Sequence, residues 1–299
     1  MLGGCEADQV KLTWDLEEVD GPVPYGFWGL NGHVHADGLA DIRDRFGITV
    51  FNTATRHPNY AVTDLLPTVR EAGLTVNLRL VGSHEHYTDN AGNFDLAAWK
   101  GMLEPWRDSG VREFADDGTL AWHMMLDDID EFAGRGPTAG ELEEMARTSQ
   151  EIIPGLRTMV RADATEMPWP DNGYYAHVDA CVNQYLASDG PVESYALAEV
   201  ERARELGLEP IMGLNMAAGG DGSSGQPGWT DDGWAMSGDE IRKYGRVLSA
   251  APGSPMFLAW EYDAEEPWRD GTIGADWFDR PEQSEALVWL GERLSGTSP

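Results

Sequence analysis

Lysine is almost absent from this chain. Its 299 residues carry 21 basic side chains against 52 acidic ones, and only Lys11, Lys100 and Lys243 are lysines. The formal charge of -31 argues against nucleic acid or an anionic membrane as a partner held by bulk electrostatics. It suits a protein kept soluble in concentrated salt, as from a halophilic or marine source, or equally an acidic secreted protein from an ordinary one. No apolar run reaches the roughly 18 residues a membrane-spanning helix requires. Cysteine is scarce too: Cys5 and Cys181 are the whole supply, and they are not expected to bridge. Cys181 sits inside an apolar run as a small buried hydrophobe.

What is present is a series of eight short apolar runs: PYGFWGLNG, ITVFNTA, LTVNLRLVG, LAWHMMLDD, RTMVRAD, HVDACVNQY, EPIMGLN and MFLAWEYD. Strands covered on both faces are continuously apolar, whereas half-exposed strands alternate. Helical patterns separate the runs, so they predict a parallel sheet, and eight of them predict a closed (β/α)8 TIM barrel. The expected strands are 24–30, 48–53, 74–81, 120–126, 158–161, 178–185, 211–215 and 256–262. Helices are expected over 37–46, stopped by Gly47, and over 62–72, 95–107, 138–152, 192–206 and 281–294, with one more starting near Ser237. Asp95 is placed as an N-cap, and Thr138 with Glu141 forms a capping box. The fifth crossover, ATEMPWPDNGYY, carries Pro168 and Pro170 and is expected to be irregular. Residues 1–20 form a polar tether and 21–299 a single barrel domain.

In such a barrel the polar ends of the strands converge on one face. The fourth strand ends Leu126-Asp127-Asp128-Ile129-Asp130-Glu131, a cluster of carboxylates that repel one another unless a cation intervenes. Cleaving a glycosidic bond takes two carboxyl groups, one as acid and one as base or nucleophile. Asp127 or Asp128 facing Glu261 on strand eight supplies that pair, and Asp263 is expected on the same strand face as Glu261. A solvated acidic loop is the competing explanation in so acidic a chain. Arg79 and Arg161 interrupt apolar strands, and a guanidinium there requires an anionic partner. One of the two is expected within reach of Asp127 or Asp128. His86, Asn77, Asn183, Gln184, Tyr185 and Asn215 are candidate groups for substrate hydroxyls or for structural hydrogen bonds. Twelve tryptophans is a high count. Trp28, Trp122 and Trp260 lie in strands, while Trp169, Trp229, Trp234 and Trp268 lie in loops, where flat rings favour sugar rings. Ser83, Ser223 and Ser224 lack a nucleophile elbow. The glycine-rich GGDGSSG lacks the Gly-Lys-Ser/Thr of a phosphate loop and is expected to be a flexible lid.

Gly32-His33-Val34-His35 after strand one resembles the metal motif of amidohydrolase barrels, so a metal-dependent hydrolase using His33, His35 or His86 is an alternative. The histidines that family places on strands five and six have no counterpart here. Leu2-Gly3-Gly4-Cys5 resembles the lipobox of bacterial lipoproteins, which implies export and a lipid anchor on Cys5 from a precursor carrying a longer leader. Taken together, FDLAAWKGMLEPWRD, DDGTLAWHMMLDD, GLNMAAGGDGSSG and MFLAWEYD resemble an uncharacterised group of bacterial secreted proteins with a glycoside hydrolase-like barrel. The resemblance covers most of the chain after residue 24. It implies acidic positions at Asp127 and Asp128 and matches at Arg161, Gln184, Tyr185, Asn215 and Asp263; Glu261 departs from the pattern. The strand-four ending also resembles the Leu-Asp-x-x-Asp of barrel enzymes that cut amino-sugar polymers. The expectation is an exported, cofactor-free enzyme acting on a poly- or oligosaccharide, with a non-catalytic carbohydrate-binding lipoprotein as the other reading.

Overall fold

The computed structural model describes residues 14–16, 19, 21–30, 34–129, 132–228, 233–261 and 279–296. Eight parallel strands close into a barrel in chain order: β1 (Tyr25–Trp28), β2 (Val50–Ala54), β3 (Thr75–Arg79), β4 (Leu120–Asp127), β5 (Arg157–Arg161), β6 (Ala180–Tyr185), β7 (Glu209–Asn215) and β8 (Phe257–Trp260). The strand seam closes where β1 pairs with β8. The (β/α)8 expectation from alternating strand and helix patterns holds.

Helices α1 (Ala36–Phe46), α6 (Ala139–Ile152), α7 (Val192–Leu206), α8 (Gly238–Leu248) and α9 (Pro281–Leu294) pack around the strands. Their ends follow local chemistry. Gly47 closes α1 at φ 70°, a left-handed conformation that costs glycine nothing. Thr138 and Glu141 make the reciprocal capping box of α6, and Ser237 with Glu240 does the same for α8. The second crossover departs from a plain helix: α2 (Pro58–Tyr60) passes through a π-helical stretch, Ala61–Leu65, into α3 (Leu66–Glu71). The third is shorter than expected. Helix α4 (Leu96–Leu103), capped by Asp95, tightens to a 3-10 turn at Glu104–Trp106, where Pro105 has no N–H to donate. A short helix, α5 (Arg112–Asp116), was not anticipated. No helix covers 162–178, as the two prolines suggested.

Two apolar layers result. Inside the barrel, Trp28, Val50, Trp122, Met124, Met159, Val182, Ile211, Met256 and Leu258 fill the bore. A larger cluster lies between strands and helices. Strand β4 carries a bulge between Met124 and Leu126. Met124 belongs to the bore, whereas Met125 and Leu126 both belong to the outer layer. The extra residue shifts the alternation by one, so the next side chain, Asp127, turns inward beside Arg161 on β5. Without it, strict period-two alternation would aim Asp127 into the helical layer.

Asn77 is a correction of emphasis. It lies fully buried in the bore, its amide donating to Asn52 Oδ1 at 2.7 Å and facing Met256 Sδ at 3.2 Å, and it does not reach the mouth. Truncating it as Asn77→Ala opens a cavity and strips Asn52 of its donor, with an expected cost of about 2–3 kcal/mol. Urea unfolding tests this, and an unchanged midpoint would count against a packed polar pair in the bore.

Candidate active site

The C-terminal ends of β3, β4, β5 and β6 bring five expected residues into one network. Asp127 accepts from both arginines: Arg79 Nη1 donates to Oδ2, and Arg161 Nε donates to Oδ1 at 2.6 Å. Arg161 then reaches two more groups, Asp128 Oδ2 at 2.8 Å and Gln184 Oε1 at 3.0 Å. Both carboxylate oxygens of Asp127 are thus engaged, and the side chains of Arg79 and Arg161 are only 16% and 18% exposed. The expectation that an arginine pairs with the strand-four carboxylates is met, and both arginines do it. Arg79 keeps a further donor, since its buried Nε has no acceptor.

Asp128 follows the strand in a left-handed conformation, φ 65°, which is uncommon for any residue but glycine and most readily adopted by Asn and Asp. Such backbones are concentrated at functional sites. The side chain of Asp128 is 35% exposed against 24% for Asp127, so Asp128 is the one that presents a carboxylate to the mouth.

Glu261 arrives from across the ring, because β8 lies opposite β4 in the closed order. The expected strand over 256–262 is shorter in the structure: β8 ends at Trp260, so Glu261 follows the strand and does not lie in it. Asp263 lies outside the described residues. What positions Glu261 is Gly29, just past β1. A Cβ on Gly29 would fall 2.1 Å from Glu261 Oε1, so the carboxylate lies directly over this glycine at the mouth. Gly29 is also at φ 70°, and glycine meets both demands.

Other expected residues divide by strand face. Trp28 is buried at the end of β1, and its Nε1 has no acceptor. Trp260 is half-buried and packs against the bore cluster. Gln184 faces inward, so its neighbour Tyr185 cannot. Tyr185 packs edge-on against Tyr195 and Tyr244, and its hydroxyl donates to the Gly190 carbonyl, which takes it out of the mouth. Asn183 is outward as well, accepting from Ala164 N and donating to the Ile211 carbonyl. Asn215 Oδ1 accepts from Ala218 N at 2.9 Å and shapes the loop after β7. His86 sits in a 3-10 turn after β3, with Nδ1 3.3 Å from Ser83 Oγ. His35 Nδ1 accepts from Gly38 N and caps α1. His33, Asp130, Glu131, Trp229 and Trp268 lie outside the described residues, as does Cys5. Among the described residues, no cluster of three or more His, Cys, Asp or Glu is arranged to hold a metal ion. Cys181 is a buried free thiol, pushed up to about 12 by burial.

A half-buried acidic group behind the mouth carried no sequence signal beyond its strand-end position. Asp163 Oδ1 accepts from Gln184 N at 3.0 Å and from the Tyr195 hydroxyl at 2.8 Å, so it holds the backbone of a mouth residue from the outside. Burial first, and the nearby Glu199 second, push its carboxyl up to about 7. Glu199, buried against Thr165, is raised too, chiefly by desolvation. His123, stacked on Trp99 and hydrogen-bonded to Ser149, is driven down to about 3 by burial.

No protein-family model and no curated protein matches the sequence. Solved structures do match in shape. A "Glycoside hydrolase-like protein" aligns over 96% of this chain and 97% of its own at 12% identity, TM-score 0.56. An endoglucanase from Pseudomonas stutzeri aligns over 92% and 95% at 11% identity, TM-score 0.57. An endocellulase from Pyrococcus horikoshii, solved in complex with cellotetraose, aligns over 91% and 92% at 11% identity, TM-score 0.54. The chain therefore has the TIM-barrel fold of glycoside hydrolases. At such identities the likeness extends to the fold alone.

Between about pH 4 and 7 the folded state keeps the Asp163 proton that the unfolded chain has lost, so this group's contribution to stability falls as pH rises through that window. Asp163→Asn keeps both acceptor contacts and removes the charge. Relative to wild type it is expected to gain stability from pH 5 to pH 7, by roughly 1.4 kcal/mol per unit, and to level off above. Urea unfolding at several pH values measures this; parallel profiles would refute it.

Proposed function

We propose that this protein is an exported glycoside hydrolase that cleaves a poly- or oligosaccharide bound across the mouth of its barrel. The observation that carries the proposal is the placement of two carboxylates at the mouth from opposite strands of the ring, Asp128 held by Arg161 after β4 and Glu261 laid over Gly29 after β8. Asp127 is the wrong group for proton transfer to a leaving oxygen, because both of its oxygens are occupied by guanidinium donors. Its part is to fix Arg161, which in turn orients Asp128 and Gln184.

Asp128, accepting from Arg161, takes the ionised role of base or nucleophile, and Glu261 serves as the acid that protonates the departing sugar. The half-buried Trp260 supplies an apolar wall, backed by Trp28 in the bore. The fold likeness to endoglucanases and to an endocellulase crystallised with cellotetraose supports a carbohydrate substrate. Export with a lipid on Cys5 belongs to the same reading and rests on the Leu2-Gly3-Gly4-Cys5 sequence. A net charge of -31 disfavours nucleic acid and polyanionic glycans, and points to a neutral or basic polymer.

Incubation with a panel of soluble polysaccharides, followed by product analysis, tests this. Asp128→Asn and Glu261→Gln are each expected to lower kcat by about 10²–10⁴-fold with little change in KM. Wild-type rates in either variant would overturn the assignment of that residue. A barrel that binds these polymers and cleaves none would be a carbohydrate-binding protein instead.

A further inference from the structure

The irregular fifth crossover leaves a groove that the mouth cluster does not use. Between the first turn of α6 and the crossover lies a cavity of about 540 Å3, lined among others by Thr138, Gly140, Glu143, Trp169, Asp171 and Asn172. That size lies within the range of small-molecule sites. Trp169 is 52% exposed, unusual for so large an apolar ring. The Arg202 guanidinium stacks over the ring at 4.1 Å, which holds this groove-lining side chain in place.

The walls are polar and braced. Both oxygens of Glu143 accept backbone N–H groups from the crossover, those of Ala176 and His177. Asp171 and Asn172 stand exposed at the rim. A rigid aromatic plate with hydrogen-bonding groups around it suits a pyranose, whose C–H face stacks on the ring while its hydroxyls meet the rim. A purely apolar ligand would leave the polar walls unpaired, and an anion would meet Glu143 and Asp171.

The groove is also continuous with the mouth in the chain. Its two walls are the connections that follow β4 and β5, the strands that carry Asp127 and Arg161. We propose that the groove is an outlying subsite, with Trp169 as its platform, that binds neutral sugar residues of a polysaccharide chain extending over the rim. This rests on the carbohydrate reading of the mouth and adds a place for the polymer beyond the cleaved bond.

Affinity electrophoresis through gels containing hydroxyethylcellulose, mixed-linkage β-glucan, xylan or glucomannan tests it, using the full chain with Glu261→Gln to prevent cleavage. Two changes are added separately. Trp169→Ala removes the platform. Gly140→Leu fills the groove from an exposed helical position where a new Cβ meets nothing within 4 Å, so the fold is undisturbed. At least one polymer is expected to retard the parent, and each change is expected to raise the Kd for it about tenfold. Binding of a short oligosaccharide that fills only the mouth stays the same. Absence of retardation on every polymer, or equal retardation of parent and both variants, overturns the proposal. Wild-type hydrolysis, measured separately, keeps the two readings apart. Cleavage with unchanged retardation refutes the groove alone, and retardation lost in the variants without any cleavage refutes the catalytic assignment alone.

Discussion

Two guanidinium groups at the ends of β3 and β5 would repel each other in the narrowing mouth of the barrel if nothing stood between them. Asp127, at the end of the intervening strand, accepts from both. With so little exposure on either arginine, solvent screening is weak and the charges must be balanced locally. The remaining donors of Arg161 are then directed to Asp128 and Gln184. A charge balance required for folding thereby also orients Asp128 and Gln184 at the mouth.

This balance depends on a feature of β4 that is easily overlooked. The bulge at Met124–Leu126 sends two successive apolar side chains outward and returns Asp127 to the bore. On the far side of the ring, Gly29 vacates the volume that the Glu261 carboxylate fills. The mouth is assembled from one inserted residue and one missing side chain. The prolines of the fifth crossover act in a similar way: by denying a helix to 162–178 they free Asp163 to brace Gln184 from behind and leave Trp169 on the rim.

Much of the fold was legible because its signals are local. Apolar runs covered on both faces, the Thr138–Glu141 box, the Asp95 cap and the Gly47 stop act over a few residues, and each appears where its chemistry requires it. The third crossover helix ends early for an equally local reason, Pro105, which has no N–H to continue the α-helical ladder. At the mouth, composition was a weaker guide. Gln184 and Tyr185 are adjacent and both polar, yet the pleat can turn only one inward, and a run buried on both faces carries no alternation to show which. Asp163 gave no signal because its burial arises from α7, whose Tyr195 and Glu199 are distant in sequence.

By itself, the sequence determined the number and order of strands, the ends of most helices, and the demand of two strand arginines for an anionic partner. Those follow from short-range sterics, capping and the cost of an isolated charge, which are properties of a residue and its near neighbours. Only the tertiary structure decided that Asp127 serves both arginines, that Arg161 also holds Asp128, that the Glu261 carboxylate lies over Gly29, and that Tyr185 turns away. Those outcomes depend on strand register, a single bulge and ring closure, which join residues far apart in the chain.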